Sequence, residues 1–300
     1  MKTKKLFINE FVIKILGLLF MTLDHIGLFL MNGGYFPSES LPVQIGLILR
    51  YIGRLAFPLF AFMVAIGIEK THDRLNYILR LSLIMAALLI GESIIFAVDK
   101  DLGSSISGNA FLDLTAFALI IYLLEHPKKG LRFLAILPIG YLLFCYGIEV
   151  SKYAAAIKGE NIIFANSIPS FLLSDYNLFG LVLFLSFYYS KKWSKKLITS
   201  FAKTDDESLA MEENFLQGLT NSFCATFLVL VNLFFWALAK WNVPDPYTMG
   251  IQSYSALAAI IIIFYNGKRG YDKKWWRIFN YLYYPVHMIL IWAIFALCFL

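Results

Sequence analysis

Charge is what this sequence has least of. Asp, Glu, Lys and Arg make up 15% of its 300 residues, where a soluble domain carries about 25%. That shortfall excludes an ordinary soluble fold. Histidine occurs four times and cysteine three times. Cys145, Cys224 and Cys298 all sit in apolar stretches, with neither metal-ligand spacing nor a disulfide pattern. No zinc, iron or haem site is expected, and no nucleophilic serine or cysteine motif stands out. A polar linker long enough to separate one domain from another is also missing, so one domain over residues 1–300 is expected. No motif in the first half recurs in the second.

What is present is apolar: 59% of residues are hydrophobic. The runs are continuous and about twenty residues long. That length suits membrane-crossing helices; a lipid-spanning barrel needs alternating strands of about ten. The expected fold class is all-α, a polytopic membrane bundle of about nine to ten helices. The nine spans are 10–31, 43–68, 77–98, 109–125, 131–149, 175–190, 216–240, 250–265 and 276–299. Met1-Lys2-Thr3-Lys4-Lys5 resembles the start of a signal peptide, but the run after it is too long and lacks a small-residue cleavage site. With the amino terminus cytoplasmic, every Lys/Arg cluster falls on one side, as the positive-inside rule requires. The net charge of +6 therefore speaks for topology and not for nucleic acid. Residues 151–173 form an outer loop that covers the mouth or dips back in. The acidic stretch from Asp205 to Glu213 lies inside. Pro244 and Pro246 lie outside. Trp193, Trp241, Trp275 and Trp276 fall at the proposed interfaces, as belt residues.

Against this background the few ionisable residues inside the spans stand out. Asp24-His25 lies within the first apolar run, where an Asp costs roughly 2.5–3.5 kcal/mol on insertion scales. Arg54 enters midway down the second span, with Arg50 one turn away on the same face. Glu92, Asp113 and Asp175 lie in outer halves or at outer ends, and His287 near the middle of the last span. Asp113 and Asp175 also read as helix N-caps. Several such residues from separate helices suggest a polar cavity opening outward. A buried pair locking two helices is the structural alternative for Asp24-His25.

The inner half is cationic. Lys14 shares a helical face with His25, eleven residues or roughly 16 Å away. Arg80 has a similar depth, and both also suit snorkelling to headgroups. Gly267-Lys268-Arg269-Gly270 is a glycine-flanked basic turn of the kind whose N–H groups cradle phosphate, or an ordinary topology signal. Cations inside and an acid–base pair outside suit a phosphate-bearing donor that enters from the cytoplasm and reacts near the other face.

Five stretches carry a resemblance. They are Lys14 to His25; Arg50-Tyr51-Ile52-Gly53-Arg54-Leu55-Ala56-Phe57-Pro58 on to Gly67 and Thr71; Asp175-Tyr176-Asn177; Tyr265-Asn266-Gly267-Lys268-Arg269-Gly270; and Phe279 to His287. In this order they resemble the TraX family of membrane acetyltransferases. Asn177 stands where many relatives would have glycine, and the insertion around Asp205 is atypical. The resemblance implies acetyl-CoA as co-substrate and a place in the cytoplasmic membrane. It is similar to multispan acyltransferases that modify extracytoplasmic acceptors; a peptide N-terminus, a pilin-like protein or a glycan are the candidates.

Acyl transfer needs a base for the acceptor and donors for the developing oxyanion. His25 is the expected general base. Asp24 points about 100° away from it on a helix, so it either orients His25 or pairs with Arg54. Arg54 holds Asp24 or stabilises the oxyanion. His287 is a second base or a donor to the thioester carbonyl, and Asp175 completes the catalytic candidates. Lys14, Lys268 and Arg269, with Asn266 at the turn, are the expected CoA-binding residues. No metal is expected. The competing reading is a proton-coupled secondary transporter using the same Asp, His and Arg residues; the missing repeat weakens it, while Pro58 and Pro285, expected to interrupt helices, favour it. A non-catalytic scaffold leaves the buried ionisable residues without a purpose.

Overall fold

The computed structural model describes residues 6–32, 35–98, 109–201, 213–241, 245 and 247–299. The expectations placed on residues 1–5, the acidic stretch from Asp205, Pro244 and Pro246 lie outside them. Among the described residues the fold is helical, with one isolated parallel bridge between Ile8 and Tyr265.

All nine expected spans are helical. In chain order the helices are α1 (Glu10–Asn32), α2 (Leu41–Gly53), α3 (Ala56–Lys70), α4 (Arg74–Val98), α5 (Ala110–Leu124), α6 (Lys129–Arg132), α7 (Ile136–Lys158), α8 (Ile163–Ser167), α9 (Asn177–Phe201), α10 (Glu213–Lys240), α11 (Met249–Gln252), α12 (Ala258–Ile263) and α13 (Lys274–Phe299), with single 3-10 turns between some of them. Seven stretches are long and apolar enough to cross a membrane, so the protein is a multi-pass membrane protein. Ala110–Leu124 and Met249–Ile263 are shorter apolar helices. Fifteen residues rise about 22 Å, short of a hydrocarbon core of about 30 Å. α5 is buried nearly all round, which explains why its sequence is apolar on every face.

The second expected span is two helices, broken at Arg54-Leu55. Pro58 has no N–H for the carbonyl of Arg54 four residues back, and its ring crowds that turn. Pro285 is the other expected interruption, yet α13 runs straight through it; transmembrane helices absorb such prolines when neighbours satisfy the freed carbonyl.

The chain divides into two units. The first comprises Met1–Met63, Ser186–Leu233 and Gly250–Leu300. There α1 and α2 cross closely: a Cβ on Gly27 would stand 2.6 Å from the Gly46 carbonyl oxygen, and one on Gly53 would run into Asp24. Small residues give membrane helices this approach. Phe62 and Tyr265 form the edge-to-face centre of this unit's core, 5.4 Å apart. α1 and α13 run parallel, matched by contacts at Phe11–Trp276, Thr22–Tyr283, His25–His287 and Phe29–Phe295.

The second unit comprises Val64–Leu185 and Phe234–Met249. Its core is aromatic, with Phe179, Phe235 and Tyr247 in mutual contact and Phe117 against Phe184. α4 leaves Leu83, Ile90, Ile94 and Val98 exposed, the surface a helix offers to lipid.

Candidate functional site

In the first unit, α1 presents Asp24 and His25 in different directions, as consecutive helical residues must be. Asp24 is buried and turns to α2. Arg50 Nη1 donates to its Oδ2 at 2.7 Å, Arg54 Nε donates to Oδ1 at 2.9 Å, and Arg54 Nη2 closes a two-pronged pair on Oδ2. Arg54 Nη1 also donates to Gln252 Oε1 at 3.4 Å. Of the two roles open to Arg54, this geometry is that of holding Asp24. The planar fork matches the carboxylate, and pairing offsets the cost of burying it.

His25 turns instead to α13. Its Nδ1 lies 2.6 Å from His287 Nε2, and His287 Nδ1 lies 2.9 Å from the Tyr283 carbonyl oxygen. A carbonyl only accepts, so His287 Nδ1 carries a hydrogen. In uncharged rings His287 Nε2 is then the acceptor, and His25 Nδ1 donates to it. The lone pair of His25 is left on Nε2, which has no hydrogen-bond partner among the described residues. The Tyr283 ring stacks on His287 at 5.1 Å. Thr22 gives its single hydrogen to the Leu18 carbonyl, so Tyr283 O–H donates to Thr22 Oγ1 at 2.7 Å. The imidazole pair is thus held from both helices.

The four residues expected at the donor end converge on the amino end of α1. Asn9 caps that helix, its Oδ1 accepting from Val12 N–H at 3.0 Å. The carbonyls of Lys268 and Arg269 accept from the N–H groups of Glu10 and Phe11, and Asn266 N–H donates to the Ile8 carbonyl. Asn266 Oδ1 accepts from Lys268 N–H, so this side chain shapes the turn. Gly267 and Gly270 have positive φ, 75° and 70°, and a Cβ at Gly270 would press into Asn9. Lys14 is tied to Glu10 at 2.7 Å. Lys268 and Arg269 are exposed, Arg269 reaching Asp272 loosely at 3.5 Å. The Arg277 guanidinium donates to Asp272 and holds its carboxyl below the usual range, with Lys14 and Arg269 adding to the effect. Lys14, Lys268, Arg269, Lys273, Lys274 and Arg277 outnumber Glu10 and Asp272 in this group, a composition suited to phosphate.

Asp175 belongs to the second unit. Its N–H donates to Asp113 Oδ2 at 3.1 Å, and Ser174 Oγ donates to Asp113 Oδ1. Asp113 is fully buried and is not the N-cap of α5; Asn109 is. At the start of α9 the capping bond runs from Asn177 N–H to Ser174 Oγ at 2.9 Å. Asn177 has φ 39°, in the left-handed region that glycine enters freely and asparagine better than most. That is the physical reason for the glycine expected there. Glu92 is half-buried with Oε2 unpartnered among the described residues. Arg80 is exposed and lies over the Tyr77 ring.

Thr22, Tyr283 and Gln252 are additions the sequence did not single out. The spacings 22/25 and 283/287 put each hydroxyl on the face of its histidine, and that signal could have found them. Trp276 is a correction. Trp241 and Trp275 are 79% and 57% exposed, as belt residues should be, but Trp276 is 6% exposed inside a cluster with Leu18, Met21 and Ala56. All three cysteines are free, and among the described residues no group of three His, Cys, Asp or Glu side chains could hold a metal.

No curated protein and no solved structure matches the chain. A family model described as TraX protein matches residues 10–199. That span contains the stretches at Lys14–His25, Arg50–Thr71 and Asp175–Asn177, while those at 265–270 and 279–287 lie beyond it. With well over half its length matched, the chain belongs to the TraX family.

Proposed function

We propose that this protein is a membrane-embedded acyltransferase that moves acetyl from cytosolic acetyl-CoA to an amine or hydroxyl on an extracytoplasmic or membrane-associated acceptor, a peptide N-terminus, pilin-like protein or glycan. In this reading it occupies the cytoplasmic membrane with its amino terminus inside. With the two shorter helices as partial crossings, the seven long ones make nine membrane segments among the described residues, the lower end of the nine to ten expected. Family membership supports this, and one observation carries it: the directed chain from the Tyr283 carbonyl through His287 to His25, which leaves a lone pair on His25 Nε2.

His25 Nε2 takes the proton of the acceptor as the acceptor's nitrogen or oxygen attacks the thioester carbonyl. His287 Nε2, accepting from His25 Nδ1–H, supports the imidazolium that forms, the role a carboxylate has in a catalytic triad. As the carbon–sulfur bond breaks, His25 returns the proton to the thiolate. Lys14, Lys268 and Arg269, with the turn shaped by Asn266, hold the phosphates. Asp24, Arg50 and Arg54 fix α1 against α2 so that His25 faces α13.

The test is release of free thiol from acetyl-CoA by purified protein, with and without an amine or hydroxyl acceptor. Slow release by wild type, accelerated by acceptor and lost in His25→Ala, is expected. A cooperatively folded preparation that releases no thiol under either condition sinks the reading. A proton-coupled transporter would need Asp24 to let go of two guanidiniums in each cycle, which the double ion pair disfavours.

A further inference from the structure

Two buried polar atoms on α13 have no partner among the described residues: Trp276 Nε1 and Asn280 Oδ1. Their chemical identities are fixed. Indole nitrogen is only a donor. Asn280 Nδ2 donates to the Trp276 carbonyl at 2.6 Å, and since a carbonyl cannot donate, the other amide atom must be the acceptor oxygen. One orphan donor and one orphan acceptor therefore sit one helical turn apart. Leaving such an atom buried and unpaired costs about 1–3 kcal/mol, and native proteins rarely retain the cost without a use.

Their position narrows the use. Trp276, Asn280, Tyr283 and His287 follow the i, i+4, i+7, i+11 spacing of one helical face. Trp276 packs on Phe11 of α1 at 4.9 Å, Tyr283 bonds Thr22, and His287 bonds His25. This seam starts beside the basic turn at Lys268-Arg269 and ends at the imidazole pair, a rise of roughly 16 Å from Trp276 to His287. The orphan atoms lie in its first half, on the phosphate side of the histidines. A secondary amide carries the complement of each, a carbonyl for the indole N–H and an N–H for the asparagine oxygen.

We propose that Trp276 and Asn280 read the amide-bearing arm that joins the phosphates of the acyl donor to its thioester. The inference rests on the acyl-CoA reading above and adds to it a path and two recognition residues. The arm lies along the α1–α13 seam, Trp276 Nε1–H donates to an amide carbonyl, and Asn280 Oδ1 accepts from an amide N–H. No bond is made or broken in this step.

The test is equilibrium binding of two probes to full-length purified protein: coenzyme A, which has the arm, and adenosine 3′,5′-bisphosphate, which keeps the nucleoside and two of the three phosphates without the arm. Trp276→Phe removes the N–H and keeps an aromatic ring; Asn280→Leu removes the oxygen at similar volume. Each is expected to weaken coenzyme A about tenfold, the equivalent of one buried hydrogen bond of about 1.4 kcal/mol, with bisphosphate binding unchanged, which also certifies the fold of the variant. Wild-type affinity for coenzyme A in both variants, or an equal loss for both probes, overturns the inference while leaving the donor reading in place. Wild-type protein that binds neither probe removes the donor reading and the inference together.

Discussion

The two units of this protein bury carboxylates in opposite ways. In the first, Asp24 meets two guanidiniums. In the second, Asp113 is sealed completely, yet its hydrogen-bond partners are a serine hydroxyl and the backbone N–H groups of Asp175 and Tyr176. The first arrangement uses long, directional side chains to lock α1 to α2. The second uses short groups around the start of α9. A charge held by charges fixes helices at a distance, and removing one partner strands the other. A carboxyl held by a hydroxyl and backbone N–H groups fixes only its own neighbourhood and tolerates an isosteric neutral replacement. The first unit also carries the imidazole pair, so its rigid pairing fixes the helix that presents His25.

That contrast is broken most sharply at the rate. His25→Ala is expected to lower acetyl transfer about 10²–10⁴-fold, the usual weight of a general base, whereas Ser174→Ala alters melting and leaves the rate; both are read by thiol release. Next comes stability. Arg54→Ala, which leaves Asp24 buried with half its charge compensation gone, is expected to cost about 3–5 kcal/mol. Asp113→Asn should cost about 1 kcal/mol or less, since an amide oxygen still accepts from Asp175 N–H and its NH₂ can donate to Ser174. Denaturant unfolding in detergent compares the two, and equal losses would erase the distinction. Gly53→Ala drives a methyl into Asp24 at the α1–α2 crossing and should cost about 1–3 kcal/mol by overpacking, seen as a lowered melting temperature.

Two smaller effects sharpen the comparison. Asn177→Gly relieves a positive φ but loses the Nδ2 bond to the Ser174 carbonyl, so its net change is expected within about 1 kcal/mol. Asn177→Val, stiff at Cβ and confined to negative φ, should be clearly worse in the same melt. The smallest effect is that of pH at Asp272. Its carboxyl is held below its unfolded value by Arg277, so its contribution is present above the ordinary carboxylate range near pH 4 and fades as pH falls through the folded value. Asp272→Asn should therefore narrow its gap to wild type between neutral and acid pH, in melts at each.

How much of this was legible follows from what each residue needed. Asp24 in an apolar helix demanded a cation, and Arg54 at matching depth was the obvious one; the pairing could be read before any fold was known. All nine helical segments could be read from apolar runs alone. Two of them being too short to count as full crossings could not, because α5 is apolar from burial in protein, and composition does not separate that from lipid. Prolines misled in one case of two: a helix break lies just before Pro58 and none lies at Pro285, and neighbours decide which. The rotation of α13 about its axis was not in the sequence either. It puts Trp276 inside and Trp275 outside, although the two are adjacent and chemically identical. Gln252 escaped notice because a lone amide in an apolar run has no charge to announce it.

The contacts of α1 differ greatly in how far along the chain their partners lie. Asp24 reaches residues 26 and 30 positions away, while His25 reaches one 262 positions away. During synthesis from the amino end, the guanidiniums for Asp24 are made almost at once, so the costliest group in the first helix is compensated within a single hairpin. The imidazole waits for 262 further residues. The lone pair on His25 acquires its direction only when α13 docks, and a half-inserted chain carries α1 without an oriented imidazole pair.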